Sequence, residues 1–164
     1  MNFRRIFVKI HTKTHLMKDE NYKQPLIFVV DDDEDDILFI RNAIEQTLPM
    51  SCIKSFIHGR QLIDQLSDIA LLPNFILLDL NMPVLSGLDT LKMIRENPVF
   101  LNVPVIILST SNNPYEKALC LKYGANNYYC KPACLSDYDH IAQKLKHEYI
   151  DKAALSQYPA FPAS

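Results

Sequence analysis

Continuous apolar runs alternate along the chain with segments whose apolar residues recur every three or four positions. The clearest runs are "LIFVV" (26–30), "FILLDL" (75–80) and "VPVIILST" (103–110). Short runs of this composition predict strands that are buried on both faces of a sheet. The weaker patterns "CIKSFI" (52–57) and "NYYC" (127–130) predict two further strands.

Segments with helical spacing separate these strands. In the first, Ile37, Ile40 and Ile44 fall on one helical face. The predicted helices cover residues 37–48, 58–66, 87–97, 114–124 and 135–150. Strands that alternate with helices predict an α/β fold in which a parallel sheet carries helices on both faces.

Length and charge narrow the class of protein. A chain of 164 residues is the size of one domain. A net charge of −2 gives no reason to expect a nucleic acid or a membrane surface as partner. No apolar run approaches the roughly 20 residues that span a bilayer. The four cysteines form no CxxC pair, which favours reduced thiols in a cytoplasmic protein.

The two ends of the chain differ from its middle. The first sixteen residues contain four basic residues and no acidic one, so we expect residues 1–24 to be a flexible basic extension, with Met17 as an alternative natural start. Residues 25–150 carry the regular pattern and form the predicted domain. Residues 151–164 contain two prolines and no periodicity, and are predicted to be a tail.

Polar residues follow the predicted strands at the point where each strand ends. Asp31 and Asp32 follow the first strand, and Asp79 lies near the end of the third. Ser109 lies at the end of the fourth strand and Lys131 follows the fifth. In an open parallel sheet these carboxyl ends line the functional crevice, so we expect the five side chains to converge.

Three carboxylates at one edge require compensation. Two carboxylates about 4 Å apart repel by roughly 4 kcal/mol at an effective dielectric of about 20. Oxygen ligands of this kind predict a hard divalent cation, Mg²⁺ rather than Ca²⁺, with Lys131 supplying part of the remaining positive charge. A metal, an ammonium and the Ser109 hydroxyl together would suit the oxygens of a phosphoryl group.

Four stretches of the sequence resemble the signatures of the response-regulator receiver domain of two-component signalling. They are "VVDDDEDD" (29–36), "LLDLNMPVLSGLDTL" (77–91), "PVIILSTS" (104–111) and "YYCKP" (128–132). The resemblance extends over residues 25–150. It implies a doubly wound, flavodoxin-like sheet of five parallel strands in the order 2-1-3-4-5.

The resemblance also implies roles for the residues at the sheet edge. Asp79 would accept a phosphoryl group from a phosphohistidine and hold it as an acyl phosphate. Mg²⁺, with Mn²⁺ as a substitute, would be bound by Asp32, Asp79 and the backbone carbonyl of Asn81, with Asp31 acting through water. Lys131 would bind the phosphate, and the peptide bond that follows it is often cis in the family.

Other positions would transmit and time the signal. The resemblance makes Ser109 the switch hydroxyl, followed by the small residue Thr110. Tyr128 would be the aromatic partner whose ring moves inward; the alternative is an ordinary half-buried strand tyrosine. Asn81 and Ser111 occupy positions that tune the lifetime of the acyl phosphate in the family.

The resemblance therefore implies a stand-alone receiver that switches protein–protein interactions when phosphorylated. Its partners would be a sensor histidine kinase or a histidine phosphotransfer protein, an unidentified downstream protein, and a second copy of itself as a further option. It would not be an enzyme beyond self-catalysed phosphoryl transfer to Asp79 and hydrolysis of the product. Only fourteen residues follow residue 150, too few for an output domain.

Several alternatives remain at this stage. The pair Asp32-Asp33 could replace Asp31-Asp32 in the metal site. An EF-hand loop is disfavoured because its sixth position would be Asp36 rather than glycine. An aspartate-nucleophile phosphatase is disfavoured because its DxD motif is followed by Thr or Val, whereas Asp31-Asp32-Asp33 is followed by Glu34 and Asp35. A non-phosphorylated interaction module usually lacks one of the acidic, acceptor or lysine positions, and all are present here. Within the acidic run, residues 33–36 are expected mainly to start a helix, where negative charge complements the helix dipole.

Overall fold

A computed structural model describes residues 24–66 and 71–156 of the chain. The predictions for residues 1–23, including Met17, and for residues 157–164 lie outside this part of the chain. Among the described residues, no helix is both long enough and apolar enough to cross a membrane.

Strands and helices alternate as the sequence pattern predicts. The strands are β1 (Leu26–Val30), β2 (Cys52–Phe56), β3 (Phe75–Leu78), β4 (Val105–Ser109) and β5 (Asn127–Cys130). The α-helices are α1 (Glu34–Thr47), α2 (Gly59–Gln65), α3 (Gly87–Glu96), α4 (Pro114–Lys122), α5 (Leu135–Leu145) and α6 (Lys152–Ser156). A short 3₁₀ helix (Pro98–Phe100) precedes β4, and a π-helical segment (Lys146–Asp151) joins α5 to α6.

The strands form one parallel sheet in the order β2-β1-β3-β4-β5. This confirms the doubly wound fold with strand order 2-1-3-4-5. In register, Val30 of β1 is opposite Leu78 of β3, and Ser109 of β4 is opposite Cys130 of β5. The carboxyl ends of β1, β3, β4 and β5 therefore meet at one edge of the sheet.

Alternate residues of each strand pack into two separate cores. On one face, Ile27 and Phe75 pack with residues of α1 and α5, including Ile40 and Leu145. On the other face, strand residues such as Phe28, Ile76 and Ile107 pack with Leu62 of α2 and with Leu91 and Ile94 of α3. Both faces are covered, which is why the strand sequences are continuously apolar.

Most element boundaries differ from the predicted ones by a few residues, and two of the differences have a clear physical reason. Helix α1 begins at Glu34 rather than at residue 37, because Asp33 caps it by accepting hydrogen bonds from the backbone of Asp35 and Asp36. The prediction that residues 151–156 belong to a non-periodic tail is wrong, because this stretch is helical. Tyr149 and Ile150 pack against the core just before it, and "KAAL" consists of strong helix formers.

Candidate functional site

The residues that end the strands are fixed by backbone hydrogen bonds that continue the sheet. The Asp31 amide donates to the Phe56 carbonyl (3.0 Å), and the Asp79 amide donates to the Val30 carbonyl (2.9 Å). Asp31 and Asp79 are buried, with 1% and 3% of their surfaces exposed. Strand β3 ends at Leu78, so Asp79 is the first residue after the strand.

Lys131 lies at the centre of this edge. Its amide donates to the Ser109 carbonyl (2.7 Å), which places it directly after β5. Its Nζ lies 2.8 Å from Asp31 Oδ2, 2.7 Å from Asp36 Oδ2 and 3.1 Å from Asp79 Oδ1. The Lys131 side chain is only 7% exposed. An ammonium has three donors, and here three carboxylates surround it.

Asp31, Asp32 and Asp79 form a group of carboxylates that could hold a metal ion. One oxygen from each can be chosen so that all lie within 4.8 Å of one another. Asp31 and Asp79 are buried, whereas Asp32 is exposed and opens the group to solvent. The donor set is all oxygen and carries more negative charge than Lys131 can neutralise, so it fits a hard divalent cation.

The charges at this edge shift pKa values in opposite ways. Burial raises the pKa of Asp31 to about 6, although Lys131 beside it acts in the opposite direction. Burial by itself would lower the pKa of Lys131, but hydrogen bonds and charges from Asp31, Asp36 and Asp79 outweigh it and raise this pKa. The ammonium is therefore held in its charged form, while burial favours the protonated form of Asp31.

The loop after β3 shapes the surroundings of Asp79. The Asn81 amide donates to Asp79 Oδ2 (2.6 Å). A Cβ on Gly87 would lie 1.9 Å from the Asp79 carbonyl oxygen and 2.7 Å from Leu80 Cα, so the helix α3 can approach this loop only with glycine at its first position. Val84 has a positive φ of 68° and is exposed at the tip of the loop.

The predicted switch residues lie on β4, β5 and the loop after β4. Ser109 is fully buried (0% exposed), and its Oγ accepts a hydrogen bond from the Ser111 amide (3.2 Å). Tyr128 is 6% exposed, and its hydroxyl donates to the Ser111 carbonyl (2.8 Å). The Tyr128 side chain is therefore buried, and its hydroxyl is held by the loop after β4. Thr110 Oγ1 lies 3.5 Å from Asn81 Nδ2, across the entrance to Asp79.

Residues 27–145 match the sequence model of the response regulator receiver domain. The chain belongs to this family. The resemblance inferred from the four sequence signatures is thereby confirmed.

Individual relatives agree with the family assignment. A Vibrio cholerae protein named "Probable cyclic di-GMP phosphodiesterase" is 30% identical over 119 residues, which are 73% of this chain and 26% of that protein. Response regulator Rcp1 of Synechocystis is 24% identical over 144 residues, 85% of this chain and 98% of Rcp1. The chain spans only 36–40% of the length of three Arabidopsis thaliana response regulators that it also matches.

Solved structures of receiver proteins superimpose on the whole domain. The crystal structure of the phosphorylated cyanobacterial phytochrome response regulator RcpA gives a TM-score of 0.71 at 27% identity, covering 86% of this chain and 100% of RcpA. The Mn²⁺-bound form of Rcp1 gives a TM-score of 0.63 at 25% identity, covering 85% of this chain and 99% of Rcp1. This chain is thus a receiver domain of two-component signalling, a class of generally non-enzymatic signalling modules.

The structure of the receiver domain adds a contact to the interpretation of Asp36. The sequence assigns residues 33–36 mainly to starting α1; Asp33 is the N-cap, and Glu34, Asp35 and Asp36 lie in the first turn. The Asp36 side chain also contacts Lys131 Nζ and accepts a hydrogen bond from the Tyr138 hydroxyl (3.2 Å), which the sequence does not predict. The sequence does not indicate the contact with Lys131, because Asp36 is the last of six consecutive acidic residues and a favourable interaction with the helix dipole is enough to explain its charge.

The peptide bond after Lys131 also differs from what the resemblance implies. The chain contains no cis peptide bond within residues 24–66 and 71–156, so Lys131–Pro132 is trans. The position of the Lys131 ammonium is fixed by its three carboxylate contacts.

Proposed function

We propose that this receiver domain is a phosphorylation-dependent switch that accepts a phosphoryl group on Asp79. The observation that carries the proposal is the pairing of Asp79 Oδ1 with Lys131 Nζ at 3.1 Å, beside the carboxylate group of Asp31, Asp32 and Asp79. A nucleophilic carboxylate next to a fixed ammonium and a set of oxygen ligands is what transfer of a phosphoryl group requires.

The donor would be a phosphohistidine of a sensor kinase or of a histidine phosphotransfer protein. The phosphorus–nitrogen bond breaks, a bond forms between phosphorus and an Asp79 oxygen, and the imidazole leaves with the electron pair. Mg²⁺, when bound, neutralises charge on the transferring oxygens. Asp31, Asp32, Asp79 and the backbone carbonyl of Asn81 would hold it, and Mn²⁺ would substitute.

The chain's own residues stabilise the product. The Lys131 ammonium donates to a phosphoryl oxygen. The Ser109 hydroxyl, whose oxygen accepts from the Ser111 amide and which also interacts with the Tyr128 hydroxyl, would turn towards the phosphoryl group. When the Ser109 hydroxyl turns to the phosphoryl group, the bond to the Ser111 amide changes. Tyr128 donates to the Ser111 carbonyl, so the same movement reaches its ring.

A downstream protein, or a second copy of the chain, would bind the surface that changes on phosphorylation. Helix α4 buries only Cys120, and apolar side chains on and around it are exposed. The exposed fractions are 73% for Tyr115, 42% for Leu121 and 40% for Tyr123.

Asn81 and Ser111 flank the acceptor, and we assign to them the tuning of the lifetime of its acyl phosphate. The cytoplasmic location also belongs to this proposal.

The test is phosphorylation by a small donor. Incubation with Mg²⁺ and acetyl phosphate should give a single labile phosphoryl adduct by intact-mass measurement, and EDTA should abolish it. Asp79→Asn should give none. Asp89→Asn is the matched control and should leave the adduct unchanged, because this exposed aspartate on α3 pairs with Lys92 and Ser86 and belongs neither to the carboxylate group nor to the Lys131 contacts.

Each other outcome has a definite meaning. No adduct with any small phosphodonor would contradict the proposal and favour an interaction module that is not phosphorylated. An adduct that survives in Asp79→Asn would place the acceptor elsewhere. Multiple turnover of a phosphoester would favour the aspartate-nucleophile phosphatase.

A further inference from the structure

Asp36 is a partner of Lys131 that lies outside the predicted metal site. Its Oδ2 lies 2.7 Å from Lys131 Nζ, the shortest of the three carboxylate contacts of this ammonium. Asp36 does not belong to the carboxylate group formed by Asp31, Asp32 and Asp79. A cation bound by that group would neutralise Asp31 and Asp79, but it would leave the attraction between Asp36 and Lys131 in place.

The Asp36 carboxylate also contacts helix α5. Asp36 Oδ1 accepts a hydrogen bond from the Tyr138 hydroxyl (3.2 Å), and Tyr138 is a buried residue of α5, 5% exposed. The Tyr138 ring lies against Phe39, with centroids 6.1 Å apart. Asp36 therefore joins the ammonium at the sheet edge to a buried side chain between α1 and α5.

The Lys131 ammonium is already surrounded by acceptors. Three carboxylates lie within 3.1 Å of its Nζ, as many as its three N–H groups can bind, and its side chain is 7% exposed, so water offers little alternative. A phosphoryl group on Asp79 brings oxygens that bind the ammonium, so one existing contact must weaken. Since a cation bound by Asp31, Asp32 and Asp79 would already have neutralised two of the three partners, the contact to Asp36 is the one with which the phosphoryl oxygens compete for the ammonium.

We propose that Asp36 is a positioning residue that holds the Lys131 ammonium in the unphosphorylated state and connects it to Tyr138, so that phosphorylation releases this connection and alters α5. The proposal rests on the proposed function for its trigger. It adds a second route from the acceptor, through Asp36 and Tyr138 to α5, beside the route through Ser109 and Tyr128 to α4.

The test follows backbone amide NMR signals of α5 in uniformly labelled, full-length protein. In the wild type, acetyl phosphate with Mg²⁺ should shift the amides of residues 135–142 and those around Ser109. Asp36→Asn and Tyr138→Phe should still form the phosphoryl adduct by intact mass, and the phosphorylated variants should lose the α5 shifts and keep those around Ser109. Asp35→Asn is the matched control: it removes the same charge from the same helical turn, but Asp35 is exposed and forms no ion pair with Lys131 in the described chain.

A second arm needs no phosphodonor. Lys131→Met removes the ammonium, and Asp36→Asn weakens its contact, so both should shift the α5 amides of the unphosphorylated protein. In a Tyr138→Phe background neither substitution should do so. Circular dichroism and the dispersion of the amide spectrum establish that each variant is folded, and Asp36→Asn serves if Lys131→Met does not fold.

These two arms separate the inference from the proposed function. If the phosphorylated Asp36→Asn and Tyr138→Phe variants still shift α5, or if Asp35→Asn also loses the shifts, the connection through Asp36 is overturned. If the wild type accepts no phosphoryl group, the proposed function fails and the trigger fails with it. The second arm still decides the connection itself, which is overturned if Lys131→Met leaves α5 unmoved.

Discussion

Two cations, the nearly buried Lys131 and the partly buried Arg95, lie at opposite edges of the same sheet, and their partners differ in kind. Lys131 follows β5 at the carboxyl edge and faces the carboxylates of Asp31, Asp36 and Asp79. Arg95, at the end of α3, lies at the amino edge beside the starts of β4 and β5, and it faces neutral oxygens.

The guanidinium of Arg95 makes four hydrogen bonds, each 3.0 Å long. Nε donates to the Gly124 carbonyl, one terminal nitrogen donates to the carbonyls of Phe100 and Val103, and the other donates to Asn126 Oδ1. Loops that lead into a sheet leave backbone carbonyls without partners, and a rigid fork of donors satisfies several at once.

This difference in partners suggests different roles: Arg95 stabilises the fold, whereas Lys131 can exchange one partner for another. Burial lowers the pKa of Arg95, and no carboxylate offsets it. Burial also disfavours the charge on Lys131, but three carboxylates outweigh it and raise the pKa. At the amino edge Arg95 donates to neutral oxygens, and these carry no excess charge that would attract a ligand. At the carboxyl edge negative charge remains in excess, so the edge attracts further cations.

The largest effect on stability is expected from Arg95→Met. This change keeps an apolar stem but removes four hydrogen bonds. The Phe100 carbonyl and Asn126 Oδ1 still accept from the Val103 and Val105 amides, whereas the carbonyls of Val103 and Gly124 lose this donor. The free energy of unfolding should therefore fall by about 3 kcal/mol. Arg95→Lys should recover less than half, because an ammonium cannot reproduce the planar fork. Urea denaturation measures both. An Arg95→Met protein as stable as the wild type would contradict the structural role.

Lys131→Met should have a smaller effect that depends on metal. Without metal the free energy of unfolding should fall by about 2 kcal/mol, because buried carboxylates lose their counter-ion while proton uptake by Asp31 limits the loss. Saturating Mg²⁺ should restore most of the stability, since it supplies the missing positive charge. Denaturation in EDTA and in Mg²⁺ measures this, and Arg95→Met should gain no such extra stabilisation. Equal responses of the two variants would remove the distinction between the edges.

How far the sequence alone predicts these sites depends on whether their partners are side chains at strand ends. The parallel sheet and the residues after its strands follow from apolar periodicity, because parallel strands bring their carboxyl ends to one edge. This reasoning predicts that Asp31, Asp79 and Lys131 lie close together, and the structure brings them together.

The contacts that were missed depend on packing. Asp36 reaches Lys131 only because α1 packs against β1 with its first turn rotated towards the edge, and the sequence does not fix that rotation. The acceptors of Arg95 are mostly backbone carbonyls of Phe100, Val103 and Gly124, which every residue type has, so no sequence signal marks them.

The pH dependence of stability should also differ between the edges. The folded-state pKa of Asp31 is raised from 3.8 to about 6, so the folded protein binds this proton more tightly than the unfolded chain does. The stabilisation by that proton is complete below about pH 4 and is lost as the pH rises through about 6.

Asp31→Asn removes this titration. In metal-free buffer its stability relative to the wild type should therefore increase from pH 4 to pH 7, whereas the loss in Arg95→Met should be the same at both values. Urea denaturation of the three proteins at each pH gives the comparison. A constant difference between Asp31→Asn and the wild type would contradict the raised pKa of Asp31.

The smallest effect is expected for a cation at neither edge, and it sets the baseline for the other two. Arg41 on α1 pairs with Glu45 one turn later at 3.2 Å, and both side chains are well exposed, at 38% and 51%. Water solvates both charges, so Arg41→Gln should lower the free energy of unfolding by only about 0.3–0.5 kcal/mol, and less in high salt. The same urea denaturation, at low and at high salt, measures it. A loss as large as that of Arg95→Met would mean that positive charge itself stabilises this domain, wherever it lies. A small loss would assign the effects at the two edges to burial and to the chemical kind of each cation's partners.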